Sequence, residues 1–312
     1  MRIAILGGAG AMGGIFGGWL QRAGNDLTLV DISAASVEFI NAHGLSIEEK
    51  DGSTTHVEIK ATTEPAKVGQ VDLIINFVKC YSTEAAVTAA RPMIGADTAV
   101  LSLQNGWGNA SKIAAIVGDN RVLVGLTYHS GTLLSSGRVK HPGIGVTFVG
   151  ELTNNVTPRL TRVAEHFRNA GFETVVSERI LDEVWKKLAL NCCTLPTSGL
   201  LRFFAHELVT YKDAEIVMAS ILKEVIAVAE AQGIAIDYKE RWAAINGVLE
   251  NAVGGKASML QDVEASRKTE IDVINGAIVE AGRLTHIPTP VNEIMVAMIS
   301  ALQAKYLAPK AV

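Results

Sequence analysis

The strand-like run RIAIL (2–6) leads directly into GGAGAMG (7–13), and no other segment limits the possible folds as sharply. Gly8, Gly10 and Gly13 stand in the spacing GxGxxG, after a strand and at the opening of a helix-like segment. The first glycine permits a tight turn, the second lets backbone approach a pyrophosphate, and the third lets helix pack on strand. Helix N–H groups then face the phosphates. Gly8, Ala9, Gly10, Ala11, Met12 and Gly13 are therefore candidate dinucleotide-binding residues, although a close-packed turn without a ligand would want the same glycines. From Ile3 to Gln21 the chain carries no charge, which can imitate a membrane segment. Glycines at 7, 8, 10, 13, 14, 17 and 18 would make a poor continuous helix in lipid, so strand, turn and helix is the expectation, with no membrane span.

The strand and helix patterns alternate beyond this point. DLTLV (26–30), VDLIINF (71–77), TAVLSL (98–103) and RVLVGL (121–126) have strand character, and 34–43, 82–90 and 109–116 have helical periodicity. That order predicts a parallel, doubly wound α/β sheet of Rossmann type. LSIEE and HVEIKAT, around KDGSTT, suggest one added strand pair, and GRVKHPG with GVTFVG suggests another near 137–150. After FETVVS (172–177) helical periodicity takes over in 178–193, 211–232, 238–251, 262–285 and 290–305, with Gly233 suited to a helix end. The expected domains are 1–177, dinucleotide-binding, and 178–312, all-helical and used for substrate binding and dimerisation. A cleft between them is the default ligand site.

Charge and cysteine usage narrow the partners. A formal net charge of -4 with no dense basic run excludes an electrostatic footprint for nucleic acid. Three cysteines make no disulfide framework, which fits a reducing, cytoplasmic setting, and the seven histidines are scattered, so no metal is expected. Small molecules and copies of the chain remain.

Asp31 follows the second strand, 18 positions after Gly13. A carboxylate there accepts from ribose hydroxyls and repels a 2′-phosphate, which favours NAD(H). Asp31 as a cap for the helix near Ser33 is the alternative. No arginine lies between Arg22 and Arg91, but Lys50, Lys60, Lys67 and Lys79 keep NADP(H) open.

Lys79 and Asn105 sit just past strand ends, where open α/β sheets bind ligands. A solvated lysine and an ordinary Asn105-Gly106 turn are the plain alternatives. In DEVWKKLALNCCTLP (182–196), at about 100° per residue, Leu181, Val184, Trp185, Leu188, Cys192 and Leu195 form the buried stripe. Lys186 falls opposite the stripe and should be solvated. Lys187 and Asn191 lie one turn apart along its edge, with an exposed Glu183–Lys187 pair as the competing reading. Adjacent helical cysteines point roughly 100° apart, which suits packing and not a bridge.

GGAGAMG, VKCY, LQNGWG, VWKKLALNC and SMLQDVEASRKTEIDVINGAIVEAG together resemble the ketopantoate reductase (2-dehydropantoate 2-reductase) family in order and spacing, from Met1 to about Lys305. The resemblance implies a Rossmann domain followed by an all-helical domain, often in a homodimer. It implies that Lys187 donates the proton to a keto oxygen and that Asn105 touches cofactor and substrate. It implies substrate contacts at Asn191 and Ser258, and cofactor-side positions at Lys79, Glu270 and Gly131, with Glu270 also in the catalytic group.

Two departures shape the expected function. Where the family carries an arginine for the NADP 2′-phosphate, this chain has Asp31-Ile32, and where it carries a second substrate-facing asparagine, this chain has Leu195. An apolar wall favours branched or aromatic groups by roughly 1–3 kcal/mol per well-filled group. The expectation is NAD(P)H-dependent reduction of a 2-keto acid, ketopantoate or a less polar analogue, to the 2-hydroxy acid. An NAD-dependent D-2-hydroxyacid dehydrogenase working oxidatively and a non-catalytic NAD-binding sensor are the alternatives.

Overall fold

Apolar runs bounded by glycine and short helices become the strands β1 (Arg2–Leu6), β2 (Asp26–Val30), β3 (Leu45–Glu48), β4 (Thr54–Val57), β5 (Lys60–Thr62), β6 (Val71–Asn76), β7 (Ile94–Ser102), β8 (Val122–Thr127), β9 (Ser130–Ser135), β10 (Arg138–Gly143), β11 (Thr147–Glu151) and β12 (Thr174–Val176). Helices α1 (Ala11–Arg22), α2 (Ala34–His43), α3 (Thr83–Ala89), α4 (Asn109–Val117) and α5 (Pro158–Asn169) alternate with them. The computed structural model describes residues 1–308, so the last four positions of the expected second domain lie outside the described residues. The chain divides into two compact units, one formed by Met1–Gln104 and Asn109–Leu181, the other by Asn105–Gly108 and the chain from Asp182 onward.

In the first unit an eight-stranded sheet has the order β12-β11-β8-β7-β6-β1-β2-β5. The strands from β8 to β5 run parallel, and β11 meets β8 antiparallel. Strand order reverses beside β1, the place where open α/β sheets form a ligand crevice. Ile3, Ile5, Leu27, Leu29, Leu73, Ile75 and Leu101 are nearly inaccessible, as expected for parallel strands covered on both faces.

A second sheet, β4-β3-β10-β9, packs on the other side of α1. The glycines make that sandwich possible: a Cβ at Gly17 would lie 2.7 Å from Leu29 Cδ2, and one at Gly18 would lie 2.5 Å from Ile47 Cδ1. Trp19 donates to Glu49 at 3.0 Å, and buried His141 meets Glu49 at 3.4 Å and His129 at 2.9 Å, so α1, β10 and the chain after β3 are also tied through polar groups.

Of the two expected strand pairs, LSIEE with HVEIKAT forms in part, since β3 and β4 pair antiparallel, and GRVKHPG with GVTFVG does not form. HVEIKAT splits, with β4 antiparallel to β3 in the small sheet and β5 parallel to β2 at the edge of the large one. GRVKHPG and GVTFVG also part: β10 pairs with β9 and β3, and β11 pairs with β8 and β12. In each segment both halves have strand chemistry, but while β4 and β10 take the neighbouring strands β3 and β9, β5 and β11 take β2 and β8, farther along the chain.

The helices of the C-terminal part are α6 (Ile180–Leu201), α7 (Lys212–Ala231), α8 (Tyr238–Glu250), α9 (Ser258–Glu264), α10 (Asn275–Thr285) and α11 (Pro290–Leu307). Among the described residues none is long and apolar enough to cross a membrane. The helix expected over 178–193 instead runs to Leu201, past Pro196. Proline removes the N–H that would bond the carbonyl of Cys192, and Asn275 Nδ2 donates to that carbonyl at 3.1 Å. The remote side chain thus completes the hydrogen bond that the local sequence cannot make. The helix expected over 262–285 is broken into α9, a single turn at Ile271–Val273 and α10. Glu270 lies at that break.

Candidate active site

In the first unit the glycine turn is held from both sides. Gly7 and Gly8 donate to the Val30 carbonyl at 2.9 and 3.1 Å, and a Cβ at Gly8 would lie 2.6 Å from Leu29 Cβ. A Cβ at Gly13 would strike the carbonyl of Gly7. Gly10 is the N-cap of α1, no side chain caps it, and the first turn carries no acid. The first N–H groups of a helix have no intrahelical partner, so this end suits a phosphate. Gly131 on β9 packs against the same turn: a Cβ there would lie 2.7 Å from Ile15 and 3.2 Å from Ala11 and Met12.

Asp31 Oδ2 accepts from Ala9 N–H at 3.0 Å, and Asp31 Oδ1 accepts from Ser33 N–H at 3.0 Å. Ser33, not Asp31, caps α2. The carboxylate therefore ties the glycine turn to the end of β2 while presenting an acceptor beside it. Ile32, next to it, is 97% exposed. These residues fit a dinucleotide: an uncapped helix start for its phosphates and an acid for a ribose. Lys79 also belongs to this unit, half-buried just past β6, where its carbonyl accepts from Ser82 N–H.

The second unit gathers the other candidates. Lys187 Nζ donates to Asn105 Oδ1 at 2.9 Å. Burial lowers the Lys187 pKa to about 8, and the nearby Glu270 carboxylate opposes that shift. Glu183 does not pair with Lys187 as the plain alternative required; it pairs with Lys186 at 2.9 Å. Lys186 is accordingly half-buried in an ion pair, not fully solvated. Asn191 and Leu195 follow Lys187 at successive turns of α6, and both are buried. Ser258 opens α9 and is half-buried. Cys192 and Cys193 are buried free thiols whose pKa values burial raises. Glu270 and Lys79, both expected on the cofactor side, fall in different units.

Sequence reasoning missed Trp107, Trp185 and Val273 as parts of this site. Trp107 N–H donates to the Val273 carbonyl at 2.8 Å, and the Trp107 and Trp185 rings lie 5.4 Å apart. The only local signal was a tryptophan directly after an Asn-Gly turn.

A glycine turn at a sheet switch point and a lysine of lowered pKa held by an asparagine are the features of an oxidoreductase with a Rossmann-type NAD-binding fold, the class that the comparisons support. Comparison with known proteins narrows the class. The model for "Ketopantoate reductase PanE/ApbA" matches residues 3–154, and that for its C-terminal domain matches 179–303. The 2-dehydropantoate 2-reductase of Pyrococcus horikoshii is 35% identical over 97% of this chain and 98% of its own, and that of Halobacterium salinarum is 31% identical over 97% and 99%. A D-mandelate dehydrogenase solved with NADH and anilino(oxo)acetate has a TM-score of 0.92 at 29% identity, covering 99% of this chain and all (100%) of that one. A ketopantoate reductase from Ralstonia eutropha has a TM-score of 0.89 at 30% identity, with 99% and 100% coverage. The chain belongs to the ketopantoate reductase family, and its enzyme class is that of oxidoreductases acting on CH–OH groups.

Proposed function

We propose that the protein is an NAD(H)-dependent enzyme that interconverts a 2-keto acid bearing an apolar substituent and its 2-hydroxy acid, with Lys187 as the proton donor in reduction. The observation that carries this is the half-buried Lys187–Asn105 hydrogen bond at 2.9 Å, on a lysine whose pKa is lowered to about 8. Gly8–Gly13, Asp31, Lys79 and Gly131 would hold the dinucleotide, which when bound supplies the hydride that reaches the keto carbon. Negative charge then grows on the keto oxygen, and the Lys187 ammonium stabilises and protonates it. Asn105 fixes the ammonium and has the position that in the family pattern touches cofactor and substrate, and Glu270 favours the charged lysine. Asn191 and Ser258 supply polar contacts to the acid. Leu195 supplies an apolar wall where the family pattern has an asparagine.

Oxidation of a D-2-hydroxy acid is a second reading, favoured by the likeness to D-mandelate dehydrogenase. Lys187 then acts neutral, as the base. NADP(H), ketopantoate itself and a non-catalytic NAD sensor are the competing outcomes. The expected homodimer and cytoplasmic setting belong to the same proposal, and light scattering tests the dimer.

The two directions have opposite pH profiles. A donor must be protonated, so keto-acid reduction falls as pH rises through about 8, while hydroxy-acid oxidation rises through the same point. Glu270→Gln removes the charge that raises the lysine pKa, so both limbs move to lower pH. Steady-state rates between about pH 6 and 10 check this. Limbs that ignore Glu270 would remove Lys187 from the proton-transfer step.

A further inference from the structure

We propose that Gly106, Trp107 and the single turn Ile271–Val273 form a clasp that positions Asn105 on Lys187, making Gly106 and Val273 positioning residues for the reaction. The inference rests on the roles given above to Lys187 and Asn105. Asn105 stands at the start of a four-residue segment whose flanking residues, up to Gln104 and from Asn109, belong to the other unit, yet Asn105–Gly108 cluster with the helices. Something must hold the segment there.

Two contacts do so. Trp107 N–H donates to the Val273 carbonyl at 2.8 Å. Gly106 adopts φ +85°, and a Cβ on it would lie 2.5 Å from both the Val273 carbonyl oxygen and Val273 Cγ2. Only glycine combines that backbone conformation with that approach. The Trp107 ring adds packing at 5.4 Å on Trp185, fully buried and two positions before Lys187 on α6. The same turn also carries Glu270, whose carbonyl accepts from Val273 N–H at 3.2 Å. One turn of backbone thus fixes the loop that bears Asn105 and the residue that bears the nearby carboxylate.

The consequence is chemical as well as mechanical. A lysine side chain has many rotamers, and a fixed acceptor is what confines its ammonium. Hydrogen bonding to the charged form raises a lysine pKa, so a displaced Asn105 leaves Lys187 easier to deprotonate. Loss of the clasp should therefore both slow reduction and move its alkaline limb downward, whereas general loosening of the fold would do only the first.

Gly106→Ala should lower kcat for keto-acid reduction by about 10–100-fold and shift the limb down by about half a pH unit. In a cycle with Asn105→Ala, the double variant should be no slower than Asn105→Ala alone, within about twofold. Val273→Ala keeps the main-chain bond and should act in the same direction more weakly; it carries the test if Gly106→Ala does not fold. Additive losses in the cycle, or both variants with the wild-type limb, would overturn the clasp. If Lys187→Ala and Asn105→Ala themselves keep wild-type turnover, the proposed function fails first, and the two failures are distinguishable.

Discussion

Lys187→Ala should lose about 10²–10⁴-fold in kcat while binding NADH within about twofold of the wild type. The asymmetry follows from the proposed roles: Lys187 lies in the helical unit on Asn105, and the glycine turn proposed to hold the cofactor phosphates lies in the other unit. Lys187→Arg should not restore turnover, because a guanidinium stays protonated and gives up no proton near pH 8. Steady-state rates with a fluorescence titration of NADH separate the two effects. Wild-type turnover in the alanine variant would end the case for a lysine acid, and loss of NADH binding in step with turnover would make the lysine a cofactor ligand.

Asp31→Ala is the second large effect. The carboxylate has two duties, since its oxygens already accept from Ala9 and Ser33 N–H groups at 3.0 Å. Its removal takes away the proposed ribose acceptor and also loosens the glycine turn. NADH affinity should fall about 10–100-fold, as expected for losing charged hydrogen bonds worth roughly 1.5–3 kcal/mol. NADPH should not reach the affinity that the wild type has for NADH, because the turn proposed to bind the phosphates is weakened for both. Asp31→Asn, which keeps one acceptor, should fall between. If Asp31→Ala bound NADPH as tightly as the wild type binds NADH, repulsion would be the whole role of Asp31 and the tether irrelevant.

The large sheet and its glycine turn were legible because their rules are local: a period of apolar residues, a glycine at each close approach, an acid at a strand end. What failed was choice of partner. Nothing within HVEIKAT says that β4 and β5 join different sheets, and nothing near Pro196 says that Asn275 will take over the Cys192 carbonyl. The site divides in the same way. Helical spacing separated Lys187 from Lys186, and the Lys186–Glu183 pair agrees with that separation. The bond between Ala9 and Asp31, and the seat of Trp107 on Val273, join residues 22 and 166 positions apart, beyond any local pattern. The break at Glu270 was hidden by an apolar period that continues across it.

Buried Leu195, one turn beyond Asn191, makes the substrate the central question. The decisive measurement is kcat/KM for ketopantoate and for branched and aromatic 2-keto acids, each with NADH and with NADPH. With NADH, a bulky apolar 2-keto acid should exceed ketopantoate by at least about tenfold, consistent with one well-filled apolar group. NADH should also exceed NADPH for every acid turned over. Ketopantoate with NADPH as the best pair would contradict the account at both Leu195 and Asp31.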